Sequence, residues 1–466
     1  MTSESYEQTS GGRGPIVGLA IGIILLYGFG FYNLIFLFLS SPLFPMIVGI
    51  ITAAFPWLAG YWWAILAFVT VLIALGLGLA YLVLQLMKRA AAGTLKVLWL
   101  LQAVFMIAIG VFMFLFLGPF GIFGLMFPFF GLLQFWVWFR RRQKIERAGK
   151  LVEFTAQLLL EEKQMFIIPL VTAVFSLLTG ILMMATYGAM YIWLPLIGIT
   201  TDSWIFFALT ILVEIPYFFV YFSIFYIFDG INVSIAHTWY RNQDPNLSGA
   251  THEVRGVMGT IVRFAAVRTA VAVAQSTAQR GGQRQGGIWA LVGSIASRII
   301  GTVFYYLTYF TLPSIIIEKR GLVDSVKRSA RITWKYLVDV YIAETGVSTV
   351  FSFFGALLSL GFIAVGFLFG YLMGILLLGD LIFALIIGIV FAIVFVIFAA
   401  IPSYFIFRPL NTAYKTFMFS YALDEESRFS LPSRLPKAYR DTIEEAQSEW
   451  EASGKERKIV QPPSEW

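Results

Sequence analysis

The chain of 466 residues is 59% hydrophobic and only 13% charged, with a mean hydropathy of +0.82, whereas soluble domains carry about a quarter charged residues. That excludes a water-covered protein, because the charge needed to coat two or three domains of this length is missing. The net charge of +7 sits in a few blocks beside apolar runs, so it points to membrane orientation rather than to nucleic acid.

Cysteine is absent and histidine occurs only as His237 and His252, which leaves no disulfide framework, no thiolate and no His- or Cys-rich metal site. No cofactor is expected. Residues 1–14 are polar, with Glu4, Glu7 and a single Arg13, and lack the basic start and small-residue cleavage site of a signal peptide. A spanning helix takes about 20 mostly apolar residues, and that length divides the chain. Four spans, 15–39, 61–87, 95–117 and 119–139, precede a large basic block. Between the first two, 40–60 carries Pro42, Pro45 and Pro56 without a charge, which reads as an outer-side loop or half-buried turn.

Arg140, Arg141, Arg142, Lys144, Arg147, Lys150 and Lys163 make 140–164 a basic, cytoplasmic linker and the best domain boundary. Spans 165–194 and 204–228 follow as a hairpin whose turn, 195–203, holds Asp202 and no Lys or Arg, so it belongs outside. Residues 229–253 read as a cytoplasmic polar loop. The next pair, 256–278 and 288–317, contains Arg263, Arg268 and Arg298 and is joined by polar residues 280–287. A spanning hairpin competes here with an interfacial segment followed by one span. Parity favours the hairpin, since the flanking loops are both strongly basic. Spans 345–378 and 381–407 complete the set, turning at Gly379 and Asp380, and from Asp424 the composition becomes that of a soluble tail with a short helix over 436–452.

The expected fold is therefore all-α: a polytopic transmembrane bundle of about ten spans in the cell membrane, both termini cytoplasmic, with a short soluble tail. Its parts are a four-span region (1–139), the linker (140–164), a six-span domain (165–423) with a basic amphipathic segment over 318–336, and the tail (424–466).

Three constellations stand out. Glu214, Arg268 and Arg298 each lie about ten residues inside the outer ends of their spans, about 15 Å deep and near the midplane. Glu214 is expected to pair with one arginine, leaving the other to face a polar cavity or an anionic ligand; a plain ion pair fixing helix register is the competing account. Lys327, Arg328, Arg331 and Lys335, interleaved with Val323, Val326, Ala330 and Trp334, suit a helix lying among anionic lipid headgroups. Gly366, Gly370 and Gly374 share one helix face for close packing within the bundle or along a dimer seam. Catalytic motifs are missing: there is no GxxxxGK[ST] loop, no HExxH and no GxSxG elbow.

The stretch Phe310-Thr-Leu-Pro313 to Ile317-Glu318, then Gly321, then Lys327-Arg328-Ser329-Ala330-Arg331, resembles a motif of uncharacterised polytopic membrane families of archaea and bacteria, over roughly 150–423. A weaker similarity extends to YciC-like proteins and to the membrane domain of glycerophosphodiester phosphodiesterases. The resemblance implies a six-helix bundle and assigns no activity. The expectation is a non-enzymatic scaffold or membrane-complex component, with bilayer lipid and a homo-oligomer or other membrane subunits as partners. The alternative is a transporter or channel for an anionic solute or lipid lined by Glu214, Arg268 and Arg298.

Overall fold

A computed structural model describes residues 13–40, 62–116, 124, 126–285 and 287–427. The proline-containing loop expected at 40–60, Ser40 aside, and the tail from 428, with its expected helix, lie outside the described residues. The α-helices are, in order, α1 (Arg13–Ser40), α2 (Trp62–Phe116), α3 (Met126–Arg140), α4 (Arg142–Glu161), α5 (Ile167–Leu196), α6 (Trp204–Tyr240), α7 (Leu247–Gln285), α8 (Gly287–Leu307), α9 (Thr311–Ile317), α10 (Leu322–Lys335), α11 (Leu337–Leu378) and α12 (Leu381–Ser427). Among the described residues eight helices are long and apolar enough to cross a membrane, so the all-helical, membrane-suited class holds.

Two compact units share the chain without following its order. The first takes 1–69, 167–235 and 245–333, the second 70–166, 236–244 and 334–466. Each therefore draws on both sides of the boundary expected at 140–164.

In the first unit, α1 and α5 pack side by side and run in the same direction, since Tyr27 meets Thr179 (2.7 Å) and Asn33 meets Thr186 (3.5 Å). Gly30 permits the approach: a Cβ there would lie 2.7 Å from the Leu182 Cβ. Buried Tyr27, Leu182, Tyr217, Val220 and Ile224 form the core around these contacts. Helices α6, α7 and α8 then run alternately up and down. Thr186 bonds Tyr217 (2.8 Å) across α5–α6, Tyr226 stacks on Phe264 across α6–α7, and Phe264 on Phe304 across α7–α8. The expected hairpin of 256–278 with 288–317 is present, though α7 is longer at both ends, from 247 to 285. Its two glycines at 281 and 282 do not break it, because Gly282 packs against Gly293 of α8, where an added methyl would stand 3.0 Å from the Gly293 Cα. The reversal falls at Gly287, whose φ of +52° suits a residue without a side chain.

The second unit is built on the α11–α12 hairpin, into which α4 packs. Gly366, Gly370 and Gly374 face α12, where a methyl on Gly370 would stand 3.0 Å from the Gly388 Cα. Where a linker was expected, α4 is an amphipathic helix burying Ile145, Ala148, Leu151, Val152, Phe154, Leu158 and Leu159. Gly149 of α4 lets Ala92 of α2 come into backbone contact, and the Ala92 N–H donates to Glu153 (3.0 Å). That crossing explains why two expected spans, 61–87 and 95–117, are one 55-residue helix, about 80 Å long. Lys88 and Arg89 fall in the gap left between those spans, yet the Ala90–Ala91–Ala92 run that follows favours continuation, and Ala91, Ala92 and Leu95 are buried.

Polar residues at 229–240 extend α6 instead of forming a loop: Asp229, Asn232 and Ser234 are all buried. Asp424, expected to begin the soluble tail, is likewise buried; it accepts from Tyr240 (2.9 Å) and pairs with Arg241 (2.8 Å).

Candidate functional site

Helices α6, α7 and α8 hold the charges that fall within apolar runs. Glu214 lies ten residues into α6, is 1% exposed, and pairs with Arg280 of α7. Ser276, one turn earlier on α7, donates to its second oxygen (3.2 Å). The Tyr187 hydroxyl stands beside both charges. The expected partners, Arg268 and Arg298, are thus replaced by a residue placed in a loop by sequence. Arg280 reaches Glu214 because α7 stays helical to Gln285, which puts its guanidinium on the helix face toward α6. With both carboxylate oxygens occupied, the pair is neutral and fixes α6 against α7; a bare carboxylate at that depth would be costly.

Arg268 sits elsewhere. Measured from the helix ends at Trp204, Gln285 and Gly287, Phe222 of α6, Arg268 of α7 and Phe304 of α8 all lie about 26 Å in, so Arg268 is about 10 Å past the Glu214 level rather than beside it. Its guanidinium lies over the Phe222 ring (5.1 Å) and the Phe304 ring (5.5 Å), with Tyr226 close by. Nη1 donates to Gln275 Oε1 (3.2 Å). The Gln275 amide is oriented by its own Nε2, which donates to the Ser297 carbonyl (3.0 Å), leaving the oxygen toward Arg268. Among the described residues no carboxylate is ion-paired with Arg268. Arg298 is exposed on α8, flanked by exposed Ile295 and Ile299.

At the other end of this unit, Glu318 is a hub. Its carboxylate accepts from Ser314 (3.1 Å) and from Arg320 Nε and Nη2 (3.0 and 3.1 Å) and is ion-paired with Arg328 (3.3 Å), while Ser329 caps the Phe310 N–H (2.9 Å). The Pro313, Glu318, Gly321 and Arg328 motif is therefore a structural clasp joining α9 to α10. Arg328 is turned inward by it, only 13% exposed. Lys327, Arg331 and Lys335 remain on the exposed side of α10 with Val323 and Trp334, and Lys335 lies 3.7 Å from Glu426.

The second unit has its own polar contacts. Lys96 bonds Glu146 at 2.7 Å, which holds that carboxyl below the usual carboxylate range. Trp239 donates to Glu161 (2.9 Å) within an aromatic cluster of Phe154, Trp239, Tyr240 and Phe417. Among the described residues no group of three or more His, Asp or Glu gathers as a metal site.

Fold and site together define a helical protein suited to the membrane, with a buried carboxylate paired to a half-buried arginine and a second arginine held between aromatic rings. Comparison with known proteins adds no relative: no family model matches the chain, and no curated protein matches it significantly.

Proposed function

We propose that this is a multi-pass protein of the cell membrane that acts by contact, as a scaffold or subunit of a membrane assembly, with its basic segments and both termini in the cytoplasm. The observation that carries this reading is Arg298. It is exposed on α8, about 16 Å from the start of that helix, among side chains that suit lipid. An arginine facing hydrocarbon at such depth costs about 2.5–3.5 kcal/mol even on the mildest scale. A neighbouring membrane helix carrying a carboxylate or amide would remove that cost.

The expectation of ten crossings stands beside the eight long apolar helices as the finer reading, in which Lys88 and Arg89 mark the cytoplasmic boundary between two crossings. The resemblance to six-span families is kept as part of the proposal, since the Glu318 clasp gives its motif a structural purpose. An anion path through Glu214 is favoured less, because the carboxylate is buried and both its oxygens are engaged.

Tagged protein extracted from native membranes in mild detergent tests the reading. The expected particle is larger than one chain, and Arg298→Leu shrinks it to a single chain while leaving the helical content intact. A wild-type particle of one chain would reject the assembly role, and anion flux in proteoliposomes would then point to transport.

A further inference from the structure

We infer that Arg268 anchors a binding site for the phosphodiester of an anionic phospholipid from the cytoplasmic leaflet. This rests on the proposed crossing and orientation of α6, α7 and α8 and is independent of the assembly reading.

The argument starts from depth. About 26 Å from the outer helix ends, in a hydrocarbon core about 30 Å thick, the ring level of Phe222, Arg268 and Phe304 falls just inside the cytoplasmic boundary. Lipid phosphates lie immediately beyond. Five N–H donors point from the planar guanidinium; the Gln275 bond uses one and the Tyr226 hydroxyl lies beside another, which leaves three. The two aromatic rings hold the plane by cation–π contact and provide no oxygen that could neutralise it. A positive fork fixed in a low-dielectric setting, with donors to spare, matches the paired oxygens of a phosphodiester.

Surroundings decide between a lipid and a soluble anion. Val267, Val303 and Leu307, which bracket the ring level on α7 and α8, are exposed. Acyl chains could lie along them while the headgroup meets Arg268. Arg263, also exposed and five residues nearer the cytoplasmic end of α7, adds positive potential on the approach. The fixed Gln275 amide sets the guanidinium toward the rings, so it is a positioning residue for the same site.

Native mass spectrometry of the full chain from nanodiscs of equal phosphatidylglycerol and phosphatidylcholine tests this. Wild type is expected to retain phosphatidylglycerol preferentially, Arg268→Gln to lose about tenfold of that retention, and Arg268→Lys, which keeps the charge without the fork, to fall between. Arg255→Gln, an exposed charge about 20 Å away on α7, should retain it as wild type does. Equal retention in wild type and Arg268→Gln overturns the site. So does absence of any phosphatidylglycerol preference in wild type, a measurement that stands even if the variants fail to fold. Displacement of the lipid by excess inorganic phosphate would assign the fork to a soluble oxyanion and overturn the lipid as occupant.

Discussion

Removing the Arg280 guanidinium strands the Glu214 carboxylate, and a stranded buried charge is worse than none. Arg280→Gln should therefore destabilise by about 2 kcal/mol, discounted from the fully buried case because Arg280 is 38% exposed. Glu214→Gln should cost about 1 kcal/mol, since the arginine left behind reaches solvent. Unfolding of the double variant should cost less than the sum of the singles, whereas Glu214→Gln with Arg298→Gln should be additive within about 0.5 kcal/mol; the reverse pattern would place the ion pair elsewhere. Glu146 offers a pH test. Its carboxyl titrates lower in the fold than in the open chain, so its contribution is present above the unfolded value and is lost as pH falls through the folded one. The pair is partly exposed, which limits it to about 0.5 kcal/mol after solvent screening. Glu146→Gln should flatten that acid-side slope in a pH series of melting temperatures. At this scale the sequence disclosed Glu214 as a buried charge, by its apolar flanks, but not its partner. Partner choice depends on which helix face a residue occupies, and ending α7 at 278 rather than 285 removes Arg280 from the helix altogether.

Among the elements, the α11–α12 hairpin and α1 use glycine in contrasting ways. Gly370 lies against the backbone of α12, while nothing stands within 4 Å of a methyl at Gly22. Gly370→Val should cost about 1–3 kcal/mol through overpacking, and Gly22→Val should fall within about 0.5 kcal/mol of wild type, both read as melting in detergent. Equal losses would contradict the hairpin register. The apolar runs revealed most helices because hydrocarbon-length stretches are a strong signal. Helix ends were less legible. Lys88–Arg89, Asp229–Ser234 and Gly281–Gly282 all look like interruptions, and each is carried through by a tertiary contact: Ala92 on Gly149, burial of Asp229 and Asn232, Gly282 on Gly293. Local composition does not contain those contacts. The same holds for Arg328, whose place in the lipid-facing set was read from helical spacing while Glu318 draws it inward.

For the whole molecule, the absence of native cysteine makes sidedness directly measurable. On intact cells, a membrane-impermeant thiol reagent should modify Asp202→Cys, in the α5–α6 turn, and should reach Gln143→Cys, exposed at the start of α4, only after permeabilisation. The opposite result would invert the map. The shared direction of α1 and α5 constrains that map further. If both helices cross the bilayer, the intervening chain has to change sides an odd number of times: once through α2, or three times if 95–140 contributes a pair. An even number would leave α5 pointing the wrong way to meet Thr179 with Tyr27 and Thr186 with Asn33. Segments of this chain are therefore dispensable for sidedness only as couples, and an evolutionary or engineered loss of one member alone would turn everything downstream inside out.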